Sequence, residues 1–154
     1  SIGRLLTDDG SLAGESASAP AIQRHLRAHP ERRDEILFQN ERYVFFREVH
    51  DGPVGKLGVK LTAGRSVAVD LSLYPPGALV YVESETPLVD VAGEPAGRRR
   101  LRRLLLAQDT GGAITGPGRL DLFFGTGDQA GLEAGYMSSR GEVFFLTPKC
   151  GEGA

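Results

Sequence analysis

The spacing of apolar positions changes period near residue 40. Before that point the pattern is helical. Ala21, Ile22 and Leu26 fall on one face of Ser18–Arg27, and Ser18 stands where an N-cap belongs. Pro30 suits the first turn of a second helix, which carries Ile36 and Leu37 and stops at Asn40. Beyond it the pattern shortens. Arg42–Glu48 (Arg-Tyr-Val-Phe-Phe-Arg-Glu) is rich in aromatic and β-branched residues and predicts a strand.

Short strand signals follow one another after that. Asp51–Gly64 holds Gly52, Gly55, Gly58 and Gly64 and reads as loop, with a short strand around Val59–Leu61. Ser66–Asp70 predicts a strand. A Pro75-Pro76-Gly77 turn leads into another at Ala78–Glu83. Glu85–Arg100 is polar and reads as a loop. Leu101–Gln108 lacks clear alternation and predicts a strand buried on both faces. Leu120–Phe124, a helix over Asp128–Met137 and a strand at Glu142–Leu146 complete the series. Short strands with Gly-rich turns and few helices predict a mainly β fold, closed as a barrel rather than stacked as a sandwich.

Composition narrows the classes. A chain of 154 residues makes one domain, or one with a small appendage. That length buries roughly 70% of the unfolded surface, so the core needs no staples. A formal net charge of -2 supplies no global basic field, which argues against a nucleic-acid partner. Arg98, Arg99, Arg100, Arg102 and Arg103 form the one basic cluster; a solvated loop or the cationic start of a strand is the favoured reading, a polyanion contact the minority one. Cys150 is the single cysteine, so neither an intrachain disulfide nor a cysteine metal site arises, and its reading is an unpaired thiol. No apolar run approaches the roughly 18 residues of a membrane span. No signal peptide is visible and the first residue is Ser1, which reads as a mature product or a fragment.

The residues offer several kinds of chemistry. Gly125-Thr126-Gly127-Asp128-Gln129-Ala130 follows a strand and opens a helix, as a dinucleotide fingerprint would. The fingerprint requires a longer βαβ unit and a later acid, so a tight turn with close helix packing is the better reading and no cofactor is expected. His25 and His29 are four residues apart, but Pro30 breaks the helix behind them, and with His50 they read as solvated; no metal is expected. No GxSxG motif occurs. Tyr43, Phe45, Phe46 and Tyr74 are suited to stacking on sugars, although strand aromatics more often fill a core. The remaining candidates are carboxylates. Asp109 closes one apolar strand and Asp121 sits inside the next, where aspartate is disfavoured; Asp70 ends a third. Two acids held close raise one pKa, and a protonated carboxyl is what a glycosidic leaving group needs. Spacing alone divides evenly between that chemistry and the bracing of turns.

A resemblance bears on the choice. Ala68-Val69-Asp70, Tyr74-Pro75-Pro76-Gly77, Ala107–Gly116 (Ala-Gln-Asp-Thr-Gly-Gly-Ala-Ile-Thr-Gly) and Leu120-Asp121-Leu122-Phe123 resemble the 3D domain, named for three aspartates. With Ser1-Ile2-Gly3-Arg4, Tyr43-Val44-Phe45-Phe46, Gly125-Thr126-Gly127, Ala130-Gly131 and Ala134-Gly135-Tyr136, the chain is similar to the membrane-bound lytic murein transglycosylase A family nearly end to end. The resemblance implies a double-psi β-barrel with part of a smaller second domain. Residues 1–50 would be the tail of that smaller domain, residues 51–149 the barrel portion and residues 150–154 a tail. A stretch of the family's chain N-terminal to Ser1 would be missing here, leaving some strand edges unpaired and the isolated chain a weak binder with poor turnover.

It also implies a peptidoglycan substrate, cleaved at the β-1,4 bond between N-acetylmuramic acid and N-acetylglucosamine with formation of 1,6-anhydromuramoyl ends. Asp121 matches the catalytic acid, Asp109 the neighbouring aspartate of the same site, and Asp70, Gly111 and Gly112 the surrounding binding motif. A hydrolytic glycosidase needs a second carboxyl group. Here the substrate's own C6 hydroxyl would attack, so Asp121 suffices as acid and then base, with Asp109 keeping it protonated and oriented. The alternatives are a non-catalytic wall-binding module and a barrel hydrolase that uses water. The family further implies an envelope location, at the periplasmic face of the outer membrane.

Overall fold

The structure is a computed structural model that describes residues 1–149. The reading of Cys150 and of the tail lies outside them. The chain divides into two compact units, Ser1–Glu48 and the part from Val49 onward.

The first unit holds three helices: α1 (Ile2–Asp8), α2 (Ala19–Ala28) and α3 (Arg33–Phe38). Ser18 caps α2 as expected, its hydroxyl accepting from the Ala21 N–H at 3.3 Å. The helix α3 begins at Arg33 rather than at Pro30, because His29 to Arg32 form a separate turn in which the Arg32 N–H donates to the His29 carbonyl. Leu6, Leu12, Ala21 and Ile36 form the core of this unit, with Ile2, Leu5, Ile22 and Leu26 packed around them. Residues 40–49 have no regular structure, so the strand expected at Arg42–Glu48 is absent. Phe46 is 95% exposed, and Tyr43 and Phe45 are nearly as open, which overturns the core reading of these aromatics. Strand propensity measures fit to a pleated, half-buried surface, and among the described residues no strand pairs with this segment to supply one.

The second unit is a mixed five-stranded sheet in the order β4-β1-β3-β2-β5, with one helix. Its strands are β1 (Ser66–Ala68), β2 (Leu79–Val89), β3 (Pro95–Asp109), β4 (Asp121–Leu122) and β5 (Glu142–Leu146); the helix is α4 (Asp128–Gly135). β1 runs parallel to β3 and antiparallel to β4, while β2 pairs antiparallel with both β3 and β5. The expected closure into a barrel is not seen. Closure requires the end strands to pair, and here β4 and β5 remain the two edges of an open sheet.

Two readings of the β2–β3 region are corrected. Glu85–Arg100 is not a loop but most of a long hairpin, whose ladder runs from Leu79 opposite Leu106 to Val89 opposite Pro95. Its charges are cross-strand partners rather than loop decoration: Glu83 lies opposite Arg102, and Glu85 opposite Arg100. The turn is short. Asp90 Oδ1 accepts from the Ala92 and Glu94 N–H groups, both at 2.9 Å. The run Leu101–Gln108 is buried on one face only. Leu105 is 1% exposed whereas Leu104 is 45% exposed, because leucine occupies both faces and hides the alternation. Val67, Val69, Val80, Val82, Leu101, Leu105 and Ala107 make the inner core, and Leu79, Leu104, Leu106, Phe144 and Leu146 stand open on the other face.

Residues 51–64 contain one isolated bridge, Val54 with Lys60, in place of the strand expected around Val59–Leu61. The strands expected to end at Asp70 and Phe124 stop at Ala68 and Leu122, the helix expected to reach Met137 stops at Gly135, β3 continues one residue past Gln108, and β5 has the expected bounds. The one-sided burial of β3 gives a direct test. Leu105→Ala should cost about 2–5 kcal/mol in urea unfolding, whereas Leu104→Ala should stay within about 1 kcal/mol. Equal losses would contradict the face assignment.

Candidate functional site

The strand β1 is flanked by an acid on each side. Ala68 is the register partner of Asp109 on β3 and of Asp121 on β4. Adjacent strands lie about 4.8 Å apart, so the two aspartate backbones are roughly 10 Å apart across β1. Both acids border one hollow of about 260 Å³, together with Ser66, Thr110, Ile114 and Phe123. Asp121 also borders a larger hollow of about 740 Å³, with Arg119, Met137 and Arg140.

The placement of Asp109 depends on an irregularity. Val67 pairs with Ala107, but Ala68 pairs with Asp109, so Gln108 is skipped. Gln108 is held on several sides. Its side-chain Oε1 accepts from the Ser66 hydroxyl at 2.5 Å, and its carbonyl accepts from the Leu57 N–H at 3.4 Å. Gly55 lies against that carbonyl, where an added Cβ would sit 2.5 Å from the oxygen, so only glycine lets the 51–64 loop approach. The same loop sends the Lys56 N–H to Asp109 Oδ1 at 2.9 Å. Sequence reasoning missed Gly55, Ser66 and Gln108. The cue available was Gly55 among loop glycines, which alone does not distinguish close approach from a turn.

Asp121 is held by Arg119, two residues before it in the loop that enters β4. Arg119 Nε donates to Oδ1 at 3.1 Å and its terminal nitrogen to Oδ2 at 3.3 Å, a two-pronged pair. The hydrogen bond to Asp121, and then its charge, raise the Arg119 pKa above the ordinary value. Both side chains are about half exposed. No hydrogen bond joins Asp109 to Asp121 among the described residues.

Asp70 stands apart from this pair. Its Oδ1 accepts from the Ser72 hydroxyl at 2.6 Å and the Ser72 N–H at 3.0 Å, and its Oδ2 accepts from the Gly116 N–H at 2.8 Å. Tyr74 adds a second tie, its hydroxyl donating to the Pro117 carbonyl at 3.0 Å while its ring stacks on Phe145 at 3.5 Å. These bonds pin the 110–120 loop that delivers Arg119 and Asp121 to β1. Tyr74 is thereby occupied within the fold and presents no open sugar platform. Gly111 and Gly112 do not border the hollow, and neither has a backbone that only glycine adopts; a Cβ at Gly112 would meet nothing within 4 Å.

The other candidates resolve simply. Gly125 packs closely, an added Cβ lying 3.2 Å from Ala63 and 3.6 Å from Ala130, and α4 starts at once after Gly127, so the segment is a tight turn onto a helix. His25 and His29 lie ring to ring at 4.6 Å at the end of α2, and among the described residues no group of three ligating side chains assembles. No helix among these residues is long and apolar enough to cross a membrane.

The chain and its fold have counterparts among known proteins. The model of the 3D domain matches residues 65–147, and that of the MltA specific insert domain matches residues 1–47. The chain belongs to the membrane-bound lytic murein transglycosylase A family. It is 39% identical over 155 residues to membrane-bound lytic murein transglycosylase A of Escherichia coli K12, covering 99% of this chain and 41% of that protein. The Vibrio cholerae protein of the same name is 38% identical, over 95% of this chain and 39% of its own length. The chain thus spans about two fifths of these relatives. Among solved structures, Escherichia coli MltA with bound chitohexaose superposes with a TM-score of 0.80 at 35% identity, over 96% of this chain and 43% of that one. MltA of Neisseria gonorrhoeae gives 0.74 at 40% identity, over 96% and 36%. The lytic transglycosylase LtgG of Burkholderia pseudomallei gives 0.63 at 44% identity, over 97% and 43%.

Asp70 supports a pH test of the fold. The Ser72 hydroxyl first, then the Gly116 and Ser72 N–H groups, hold its carboxyl below the usual carboxylate range. A depressed folded pKa contributes stability above the unfolded value and loses it as pH falls through the folded one. Asp70→Asn should therefore lower the thermal midpoint at neutral pH, and the gap to wild type should close on acidification. A gap that is constant with pH would remove Asp70 as the ionised pin of the loop.

Proposed function

We propose that this chain is the 3D-domain part of a lytic transglycosylase that cleaves the β-1,4 bond between N-acetylmuramic acid and N-acetylglucosamine in peptidoglycan. The observation that carries the reading is the pair Asp109 and Asp121, set on either side of Ala68 and bordering one hollow. Asp121 is the general acid and base. It gives its proton to the leaving glycosidic oxygen while the C6 hydroxyl of the muramic acid attacks the anomeric carbon. It then takes the proton of that hydroxyl, closing a 1,6-anhydro ring without water. A side chain serving as acid must first be free of its guanidinium, so binding of the glycan displaces Arg119 from Asp121. Asp109, fixed by the Lys56 N–H, sets the charge facing the reacting oxygen. Asp70 holds the loop that carries Asp121.

In this reading residues 1–50 are the tail of the smaller domain, and the open sheet of residues 51–149 is a portion of a double-psi barrel. The cell envelope, at the periplasmic face of the outer membrane, is the place where the substrate lies. The Asp121–Arg119 pair also suits a wall-binding module in which Asp121 only braces a strand.

Mass spectrometry of digested peptidoglycan separates the readings. Anhydro ends are expected, with turnover well below that of a full-length relative, because Asp121 is half exposed and water weakens its action. Asp121→Asn should lower the yield of anhydro ends by about 10²-fold or more with an unchanged circular dichroism spectrum. Reducing ends would mark a hydrolase, the absence of product a binding module, and near-normal turnover by the variant would sink the assignment of Asp121.

A further inference from the structure

The larger hollow beside Asp121 does not end there. It adjoins a second one of about 380 Å³, and the two share Leu101, Leu122 and Phe124 in their walls. Together they make one trough along the inner face of the sheet, from Asp121 to the far part of the β2–β3 hairpin. The second hollow is bordered by Arg99 and Arg103, each two places from Leu101 and on the same face of β3, with Thr86 and Glu133 beside them.

These guanidinium groups are only partly engaged. Arg103 gives one N–H to the Gly64 carbonyl at 3.1 Å. Arg99 Nε donates to the Thr86 hydroxyl at 3.3 Å, and its terminal nitrogen is 4.0 Å from Glu133. A guanidinium carries five N–H donors, so most remain available in each. Among the described residues Glu133 is the one carboxylate lining this hollow, against four arginines, Arg99, Arg100, Arg102 and Arg103. On the opposite face Arg102 is matched by Glu83 at 3.1 Å, whereas Arg100, across from Glu85 in the ladder, makes no ion pair within 4.0 Å among the described residues. The excess positive charge therefore lies at the hairpin end of the trough.

Neutral sugar hydroxyls need no such charge. Carboxylates do, because the planar fork of arginine matches their two oxygens. From Arg99 to Arg103 β3 extends roughly 13 Å at about 3.4 Å per residue, the length of an extended peptide of about four residues. We propose that the arginine end of the trough binds the carboxylates of the short peptides carried on muramic acid, so that the glycan is recognised at Asp121 and its peptide at Arg99 and Arg103. This rests on the transglycosylase reading and names a substituent that the substrate must bear for full affinity. A long polyanion is not the ligand in view, since the overall charge is negative and the positive groups are confined to one short stretch.

The test is calorimetric titration of the chain with two soluble ligands, chitohexaose and a glycan fragment bearing its tetrapeptides. The peptide-bearing fragment should bind about 10-fold more tightly. Amidation of its carboxyl groups should abolish the gain with the wild-type protein. The double variant Arg99→Gln, Arg103→Gln should abolish it too while leaving the affinity for chitohexaose in place. Equal binding of both ligands by the wild type, or a gain that survives amidation, would overturn the proposal and leave the transglycosylase reading standing. Equal loss of both ligands in the double variant would assign the arginines to the fold and overturn it as well. Failure of the wild type to bind either ligand would bring down the transglycosylase reading itself, and the proposal with it.

Discussion

The skipped residue at Gln108 is the constraint on which the site depends. In a regular parallel ladder Gln108 would lie opposite Ala68, and Asp109 would fall one place further along and on the other face. The irregularity re-aims the strand, so that Asp109 borders the same hollow as Asp121. Such a bulge leaves backbone and side-chain polar groups to be satisfied. Here Ser66 and Leu57 answer Gln108, and the approach of Gly55 makes the second bond sterically feasible. Ser66 is itself fully buried and accepts from the Thr62 N–H at 2.8 Å, so the repair continues into the loop before β1. A chain of ordinary hydrogen bonds thereby fixes a carboxylate that no local propensity would place.

This explains what the sequence conveys and what it hides. The Ser18 cap and the strand β5 are legible because each rests on a local signal, a side-chain oxygen before a helical stripe and a short apolar run between polar turns. The hairpin is misread as a loop because its residues are charged, and the facing of Glu83 by Arg102 and of Glu85 by Arg100 is visible only once the register is known. Arg42–Glu48 fails in the opposite sense. Its residues are excellent strand formers, but a strand is a property of two segments, and no described segment meets it. Burial of β3 is hidden by leucines that face both inward and outward. The motif points to Asp109 and Asp121 by residue type; the bulge that aims Asp109 and the fork that holds Asp121 are tertiary facts.

The three aspartates, alike in sequence, have unlike surroundings. Asp70 has both oxygens engaged by groups of the loops it joins, with no basic side chain among them. Asp109 accepts one backbone bond, at Oδ1, and borders the hollow. Asp121 faces a guanidinium that matches it prong for prong. A group engaged by backbone donors stays put, because those donors belong to the fold. A group paired to a half-exposed arginine is the one that can be released, since such a pair in water is weak and the side chain that holds it is long and free to turn.

That difference in how each is held distinguishes the three. For a carboxyl group to donate a proton to a leaving oxygen, its partner must be able to go elsewhere at the moment the ligand arrives. Arg119 sits at the mouth of the larger hollow, beside Asp121 and on the same loop that Asp70 and Tyr74 pin at Gly116 and Pro117. Its backbone is anchored two and three residues earlier, while its side chain opens to solvent. The loop therefore holds Asp121 in register with β1 without holding the guanidinium on it. In the proposed mechanism a rigid pin at Asp70 and a loose one at Arg119 would be complementary: the first would keep the acid in place, and the second would leave it free to act.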